Sequence, residues 1–170
     1  MIETPRLILR PHTLDDFEAA CAMSTDPEVM RFINGGRPDT RQDVWHRILR
    51  FAGHWDLLGY GLFAIVEKAS GKFIGDTGLA DFKRELGDDF DPYPETAWVL
   101  TRSAFGKGYA TEAAIAAHKW FDDTRGRQRT VCIIAPGNAG SVGVATKLGY
   151  TPIAPRDYRG EPVLVFERNP

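Results

Sequence analysis

The sequence has no apolar run approaching the roughly 20 residues needed to cross a bilayer, which argues against a membrane-spanning chain. It has no excess of either charge. The 21 Lys and Arg stand against 23 Asp and Glu, a formal net charge of −2. That balance argues against a protein that lives on nucleic acid, whose footprint is a basic face. Cysteine is scarce. Cys21 and Cys132 lie far apart and match no metal-ligand spacing. One disulfide is one reading; two buried thiols in a reducing cytoplasm is the preferred one. His12, His46, His54 and His118 show no mutual spacing for a metal, and no His-Glu-x-x-His occurs, so no metal cofactor is expected. No Gly-x-Ser-x-Gly is present, which leaves a serine hydrolase unsupported. The opening MIETPRLILRP carries an acidic residue at once and does not read as a signal peptide.

What the chain does have is material for a core. Of its 170 residues, 43% are hydrophobic and 26% charged, the composition of a folded chain. The length suits one ordinary domain, residues 1–170, with no repeat or linker to divide it.

Arg6 to Arg10 alternates as a strand closed by Pro11. Thr13 and Asp16 resemble a capping box for a helix whose apolar face is Leu14, Phe17, Ala20 or Cys21, and Met23. Asp26-Pro27 ends or bends it, and EVMRFI adds a turn. A second helix, capped by Asp39 or Thr40, carries Val44, Ile48, Leu49 and Ala52 as its stripe. Tyr60–Glu67 and Lys72–Phe82 read as a hairpin, and Glu95–Thr101 as the fourth strand. YATEAAIAAHKWFDD is helical, with Ala110, Ala113, Ala114, Ala117 and Phe121 on one face. RTVCIIA is a buried strand, NAGSVGVATKL a helix stopped by Gly149, and YTPI and VLVFER the last strands. The order β-α-α-β-β-β-α-β-α-β-β is mixed α/β.

The most informative stretch is Trp98 to Ala114, WVLTRSAFGKGYATEAA. A strand leads through Gly106 and Gly108 directly into a helix. The first N–H groups of a helix have no intrahelical partner, and its dipole favours an anion there. Glycine lets the backbone approach a phosphate, and Lys107 adds positive charge. A strand-to-helix turn that needs glycine only for its geometry is the other reading. A Walker loop is excluded, because Val66 and Thr101 stand where the Gly-Lys pairs at 71–72 and 106–107 would need glycine. A dinucleotide fingerprint lacks its third glycine, at Thr111, and would usually follow a first strand.

At this point the chain resembles the Gcn5-related N-acetyltransferases (GNAT), in the RimJ/RimL-like branch of ribosomal-protein alanine acetyltransferases. TPRLILRPHTLDDFEA and DPEVMRFI are similar to the branch's opening strand and helix. ETAWVL with FGKGYATEA is similar to its acetyl-CoA loop, and NAGSVGVATKLGY to its last motif. The resemblance implies an α/β acyl-CoA N-acyltransferase fold: a mixed central sheet splayed between the fourth and fifth strands, with helices on both faces. It implies that the amides around Gly106, Lys107, Gly108, Tyr109 and Ala110 hold the acetyl-CoA pyrophosphate. Pantetheine would lie in the splay and bond the backbone near Val99 and Leu100. The family often has Gln or Arg three residues before the first loop glycine; here Ser103 stands there, beside Arg102.

Acetyl transfer needs an amine freed of its proton, a stabilised oxyanion and a proton for the departing thiolate. Glu95 is the candidate base, directly or through a water; a solvated carboxylate at a strand start is the alternative. The acidic loop of Glu85, Asp88, Asp89 and Asp91 either attracts a cationic amine or is simply solvated. Ser141 is the candidate acid, against a helix hydroxyl bonded to its own backbone. Asn138, three residues before it, caps the helix or bonds the pantetheine amide. The tyrosine that many family members outside this branch carry on this helix is replaced by Ala145. Trp45, Phe51 and Trp55 read as core, with one or two of them reaching the acceptor pocket.

The expected activity is acetyl transfer from acetyl-CoA to a primary amine, on a peptide N-terminus or a small molecule, by direct attack in a ternary complex. The competing reading is a non-catalytic acyl-CoA-binding module, which would dispense with Glu95 and Ser141. A third is an unrelated nucleotide-binding domain. Charge balance and the lack of a long apolar run set aside nucleic acid and membrane as partners, the two thiols suit the cytoplasm, and a homodimer is one expectation because members of the resembled family often pair.

Overall fold

Alternating strands and apolar helix stripes close into one eight-stranded sheet wrapped by five α-helices, in a computed structural model that describes residues 1–170. In chain order the elements are β1 (Ile2–Glu3), β2 (Leu7–Arg10), α1 (Phe17–Thr25), α2 (Pro27–Met30), α3 (Arg41–Leu58), β3 (Leu62–Glu67), β4 (Phe73–Ala80), β5 (Glu95–Leu100), α4 (Tyr109–Arg125), β6 (Thr130–Ile134), α5 (Ala139–Lys147), β7 (Thr151–Tyr158) and β8 (Glu161–Arg168). The sheet runs β1-β2-β3-β4-β5-β6-β8-β7. No helix is long and apolar enough to cross a membrane.

One junction differs from the others. β5 and β6 are the parallel pair, and they meet in register at a single pair, Glu95 opposite Val131. By contrast β4 and β5 match along their lengths, from Ala80–Glu95 to Gly75–Leu100. The strands therefore touch at their beginnings and part toward Leu100 and Ile134. This is the expected splay, between the fourth and fifth strands if the two-residue β1 is left uncounted.

Neighbouring residues of a strand point to opposite faces, so Leu62 and Phe63 of β3 mark the two cores. Leu62 joins Phe51 of α3 and Ala80, and nearby Ala20, Cys21, Val44 and Ile48 lock α1 to α3. Phe63 joins Leu7, Leu9, Ile65 and Leu100 against Ala113 and Ala117 of α4. The small alanines let α4 lie close to the sheet. Cys21 and Cys132 are both free buried thiols.

Three details differ from the periodicity. Leu14 is 62% exposed, because Leu14–Asp16 forms a 3-10 turn whose buried residue is Asp16. Asp16 accepts the Thr13 N–H at 2.8 Å, as a capping box should, and pairs with Arg10. On α3, capped by Thr40, the stripe is Val44, Ile48 and Phe51 at i, i+4 and i+7, and Leu49 faces solvent. At the C-terminus, β7 continues through Pro152 and Pro155 because the β7–β8 register shifts between Ile153 and Arg156, and Arg159-Gly160, both at positive φ, closes a tight hairpin.

Candidate active site

The loop from β5 into α4 is built of backbone. Gly106 and Gly108 have φ of 72° and 77°, the left-handed region that disfavours a side chain. The six consecutive N–H groups from Gly106 to Thr111 find no acceptor in the protein. They sit at the positive end of a 17-residue helix and form a nest for an anion. The nest is braced from the turn between β1 and β2. Arg6 donates to the Lys107 carbonyl at 2.8 Å, and Glu112 accepts from Arg6 Nε and Thr4 Oγ1, both at 2.6 Å. Burial alone would raise the Glu112 carboxyl, but these hydrogen bonds win and hold it below its ordinary value.

From the nest a cavity of about 550 Å³ runs into the β5–β6 gap. Trp98, Val99 and Leu100 form one wall and Asn138, Ser141 and Val144 of α5 the other. Tyr109 and Ala110 close the nest end, with Arg31 and Lys147 supplying the charge. The Lys107 ammonium does not contribute; its side chain lies over the Tyr109 ring at 5.9 Å. Beyond Glu95 the edge of β5 facing β6 has no strand beside it, so a peptide-like arm can add there. Bare amides at one end, flanking cations and an open strand edge fit the diphosphate and amide-bearing arm of a coenzyme A thioester.

Asn138 Oδ1 accepts the Ser141 N–H at 3.1 Å and so caps α5. The Ser141 hydroxyl does not bond its own helix. It accepts the Trp98 indole N–H at 3.2 Å across the gap. Trp98 thereby fixes the position of that oxygen inside the cavity.

A second cavity, of about 140 Å³, opens on the α1/α3 face and shares Ile33, Trp98 and Val99 with the first. Asp76 lines it, directly opposite Val99 in the sheet. The Asp76 Oδ1 lies 2.7 Å from His12 Nε2, and the buried His12 Nδ1 has no partner. Arg47, Arg50, Phe51 and Phe82 complete the wall. Burial, with the positive charges of Arg47 and Arg84, holds the Arg50 guanidinium below its usual value.

Glu95 is not a solvated carboxylate; it is 3% exposed. Both its oxygens are taken by Arg84, at 2.6 and 2.7 Å, and it lines neither cavity. Burial pushes its carboxyl up, and the guanidinium only partly offsets this. Arg84 in turn stacks 4.8 Å from the Phe82 ring, so the pair supports the wall of the second cavity from behind. The acidic loop is tied rather than free at one point, where Asp89 pairs with Arg156 at 2.5 Å.

The structure thus brings Val99, Leu100, Gly106, Gly108, Tyr109, Ala110, Asn138 and Ser141 to one cavity, with the Lys107 backbone in its nest, and leaves Glu95 apart. The sequence reading missed Asp76, His12, Arg50 and Trp98. One signal for Asp76 existed: a lone carboxylate inside FIGDTGLA, a strand otherwise free of charge.

Comparison with protein families matches residues 6–151 to the acetyltransferase (GNAT) domain. A solved structure described as a putative GnaT-family acetyltransferase from Bordetella pertussis superposes with a TM-score of 0.87 at 32% identity, covering 98% of each chain. An acetyltransferase of Agrobacterium tumefaciens gives 0.81 at 30%, covering 99% of this chain and 94% of that one. Among curated sequences, the uncharacterized N-acetyltransferase p20 of Bacillus licheniformis is 26% identical over 86% of this chain and 80% of its own.

Proposed function

Because the chain belongs to the GNAT acetyltransferase family, whose members use acetyl-CoA, we propose that it acetylates a primary amine by direct attack in a ternary complex. The observation that carries this is the pairing of two cavities at Val99. One suits the thioester arm, and the other ends on a buried carboxylate. A module that only bound acyl-CoA would have no use for the second.

In this reading the Gly106–Ala110 amides hold the diphosphate and the β5 edge holds the arm, leaving the thioester carbonyl near Val99. The acceptor enters from the α3 side as an ammonium and gives a proton to Asp76, with His12 behind it. The freed nitrogen attacks the carbonyl carbon, and the carbon–sulfur bond breaks as the amide forms. Ser141 gives its hydroxyl proton to the thiolate and recovers one from the nitrogen through solvent. Glu95 holds Arg84 in place; base action by Glu95 through a water is the alternative that its Gln variant tests.

The RimJ/RimL-like placement rests on the loop and KLGY motifs. A RimL ribosomal L7/L12 acetyltransferase solved with coenzyme A shares the fold, at 15% identity and a TM-score of 0.75. A protein N-terminus is thus one acceptor class and a small amine the other. The second cavity, well below the ~300–1,000 Å³ of drug-sized sites, favours a small amine.

The test has two parts: calorimetric titration with acetyl-CoA, CoA and ATP, and release of free thiol from acetyl-CoA with a panel of amines and N-terminal peptides. Binding of acetyl-CoA with amine-dependent thiol release and an acetylated product by mass is the expected result. Tight binding with no thiol release from any amine would leave the binding module, and preference for ATP would remove both readings.

A further inference from the structure

The second cavity holds three arginines in or beside its wall, and two of them are already neutralised. Arg47 pairs with Asp39 at 2.5 Å and also donates to Ser24. Arg84 has both oxygens of Glu95. Arg50, on the same α3 face as Arg47, has no carboxylate and no hydrogen-bond acceptor. Its guanidinium lies 5.7 Å from the Phe51 ring centre, reachable from solvent and lining the cavity. In the same cavity, on β4, Asp76 is 5% exposed, and its one side-chain partner is His12. The cavity therefore presents, beside Val99, a carboxylate whose one side-chain partner is an imidazole, and on α3 a guanidinium with no carboxylate partner. Asp76 is buried with only an imidazole beside it, and Arg50 reaches solvent with no carboxylate of its own, so a ligand that answers both is favoured. The planar fork of arginine matches a carboxylate with two parallel hydrogen bonds.

We propose that the acceptor is an amino acid, with its ammonium directed to Asp76 and its carboxylate to Arg50. This rests on the acetyltransferase reading above and narrows its acceptor class. Simple alkylamines and polyamines answer only half of the cavity. A polyamine brings a second cation to the arginines and is disfavoured further.

The experiment compares matched acids and amides: L-alanine against L-alaninamide, and L-leucine against L-leucinamide, with spermidine as the polyamine. Each is titrated calorimetrically into the CoA-loaded protein and assayed for thiol release from acetyl-CoA. The acids are expected to bind and react at least about tenfold better than their amides. In Arg50→Gln the acid-to-amide ratio falls toward one, mainly through KM, and Arg50→Lys recovers part of it. Acetyl-CoA affinity, read in the same titrations, reports whether the variants keep the cofactor site. Equal use of acid and amide, preference for spermidine, an Arg50→Gln loss shared equally by both, or binding of neither ligand to a protein that binds CoA overturns the proposal. Selective binding of the acids without thiol release keeps the carboxylate subsite and overturns the transfer reading instead.

Discussion

The indole N–H of Trp98 donates to the Ser141 hydroxyl at 3.2 Å, so β5 and α5 are joined by a hydrogen bond across the cavity that opens where β5 and β6 part. The bond occupies a lone pair of the oxygen and leaves its proton free to be given away. That is the arrangement an acid beside a departing thiolate needs.

Ser141→Ala is accordingly expected to lower kcat about tenfold or more while leaving acetyl-CoA affinity within a few-fold. Trp98→Phe keeps the ring and removes the donor, so its effect is smaller and in the same direction. Steady-state thiol release together with titration of CoA separates the two parameters. A Ser141→Ala enzyme at full kcat would mean that solvent protonates the sulfur.

Asp76 and Glu95 lie on the same sheet face, but only Asp76 reaches the cavity. Asp76→Asn is expected to cost about 10²–10⁴ in kcat, the usual range for a lost proton acceptor. Glu95→Gln weakens a buried pair and leaves Arg84 without its counter-charge, so its signature is stability, on the order of 3 kcal/mol in urea unfolding. The reverse pattern, with Glu95→Gln inactive at full stability, would return the base to Glu95.

His118 is buried against Tyr150 and makes stability depend on pH. Its Nδ1–H donates to the Ala114 carbonyl at 2.7 Å, and its Nε2 accepts from Tyr150, whose oxygen lies 2.6 Å from the Thr130 hydroxyl. Both ring nitrogens are thus satisfied in the neutral form. Burial lowers the pKa from 6.5 to about 4. Between those values the unfolded chain binds a proton that the folded chain refuses, so the stabilisation is full above 6.5 and is lost as pH falls toward about 4. The loss is on the order of 3 kcal/mol. Urea midpoints at pH 7.5 and pH 5 capture about 2 kcal/mol of it, the part that falls between 6.5 and 5, and His118→Gln should flatten the slope. Asp16, lowered overall because Arg10 and Thr13 outweigh its burial, acts only below its ordinary value of 3.8 and does not confuse this window.

What the sequence disclosed follows the range of the forces involved. The glycine turn, the Thr40 and Asn138 caps and the Gly149 stop are local geometry, so a few consecutive residues reveal them. The splay came from resemblance, because no periodicity encodes where two strands part. The Asp76–His12 pair joins residues 64 apart in the chain, and the charge balance at Arg50 depends on which arginines Asp39 and Glu95 had already taken. Both readings of Glu95, as the base and as a solvated carboxylate, assume that a strand's first residue lies near solvent or substrate; here the Arg84 side chain, from the loop after β4, takes both its oxygens and it is buried.

Gly108 tests the nest directly. A Cβ there would meet nothing closer than the flexible Arg6 guanidinium at 3.6 Å, so the obstacle to Gly108→Val is its φ of +77° and the branched side chain above the amides. Acetyl-CoA affinity is expected to fall about 100-fold, with a stability cost of about 1–2 kcal/mol. A folded Gly108→Val protein with unchanged affinity removes the loop from the cofactor site.

Glu112 provides an independent test of the same nest without touching it. Its carboxylate gathers Thr4 Oγ1, the Arg6 N–H at 3.0 Å and Arg6 Nε, and Arg6 then holds the Lys107 carbonyl away from the amides. Glu112→Ala frees Arg6 and lets that carbonyl turn toward the anion, where it repels phosphate. Acetyl-CoA affinity should fall about tenfold, and kcat at saturating cofactor should stay within a few-fold, because no reacting atom has moved. If affinity holds while stability drops, the brace serves only to attach β2 to α4, and the nest stands without it.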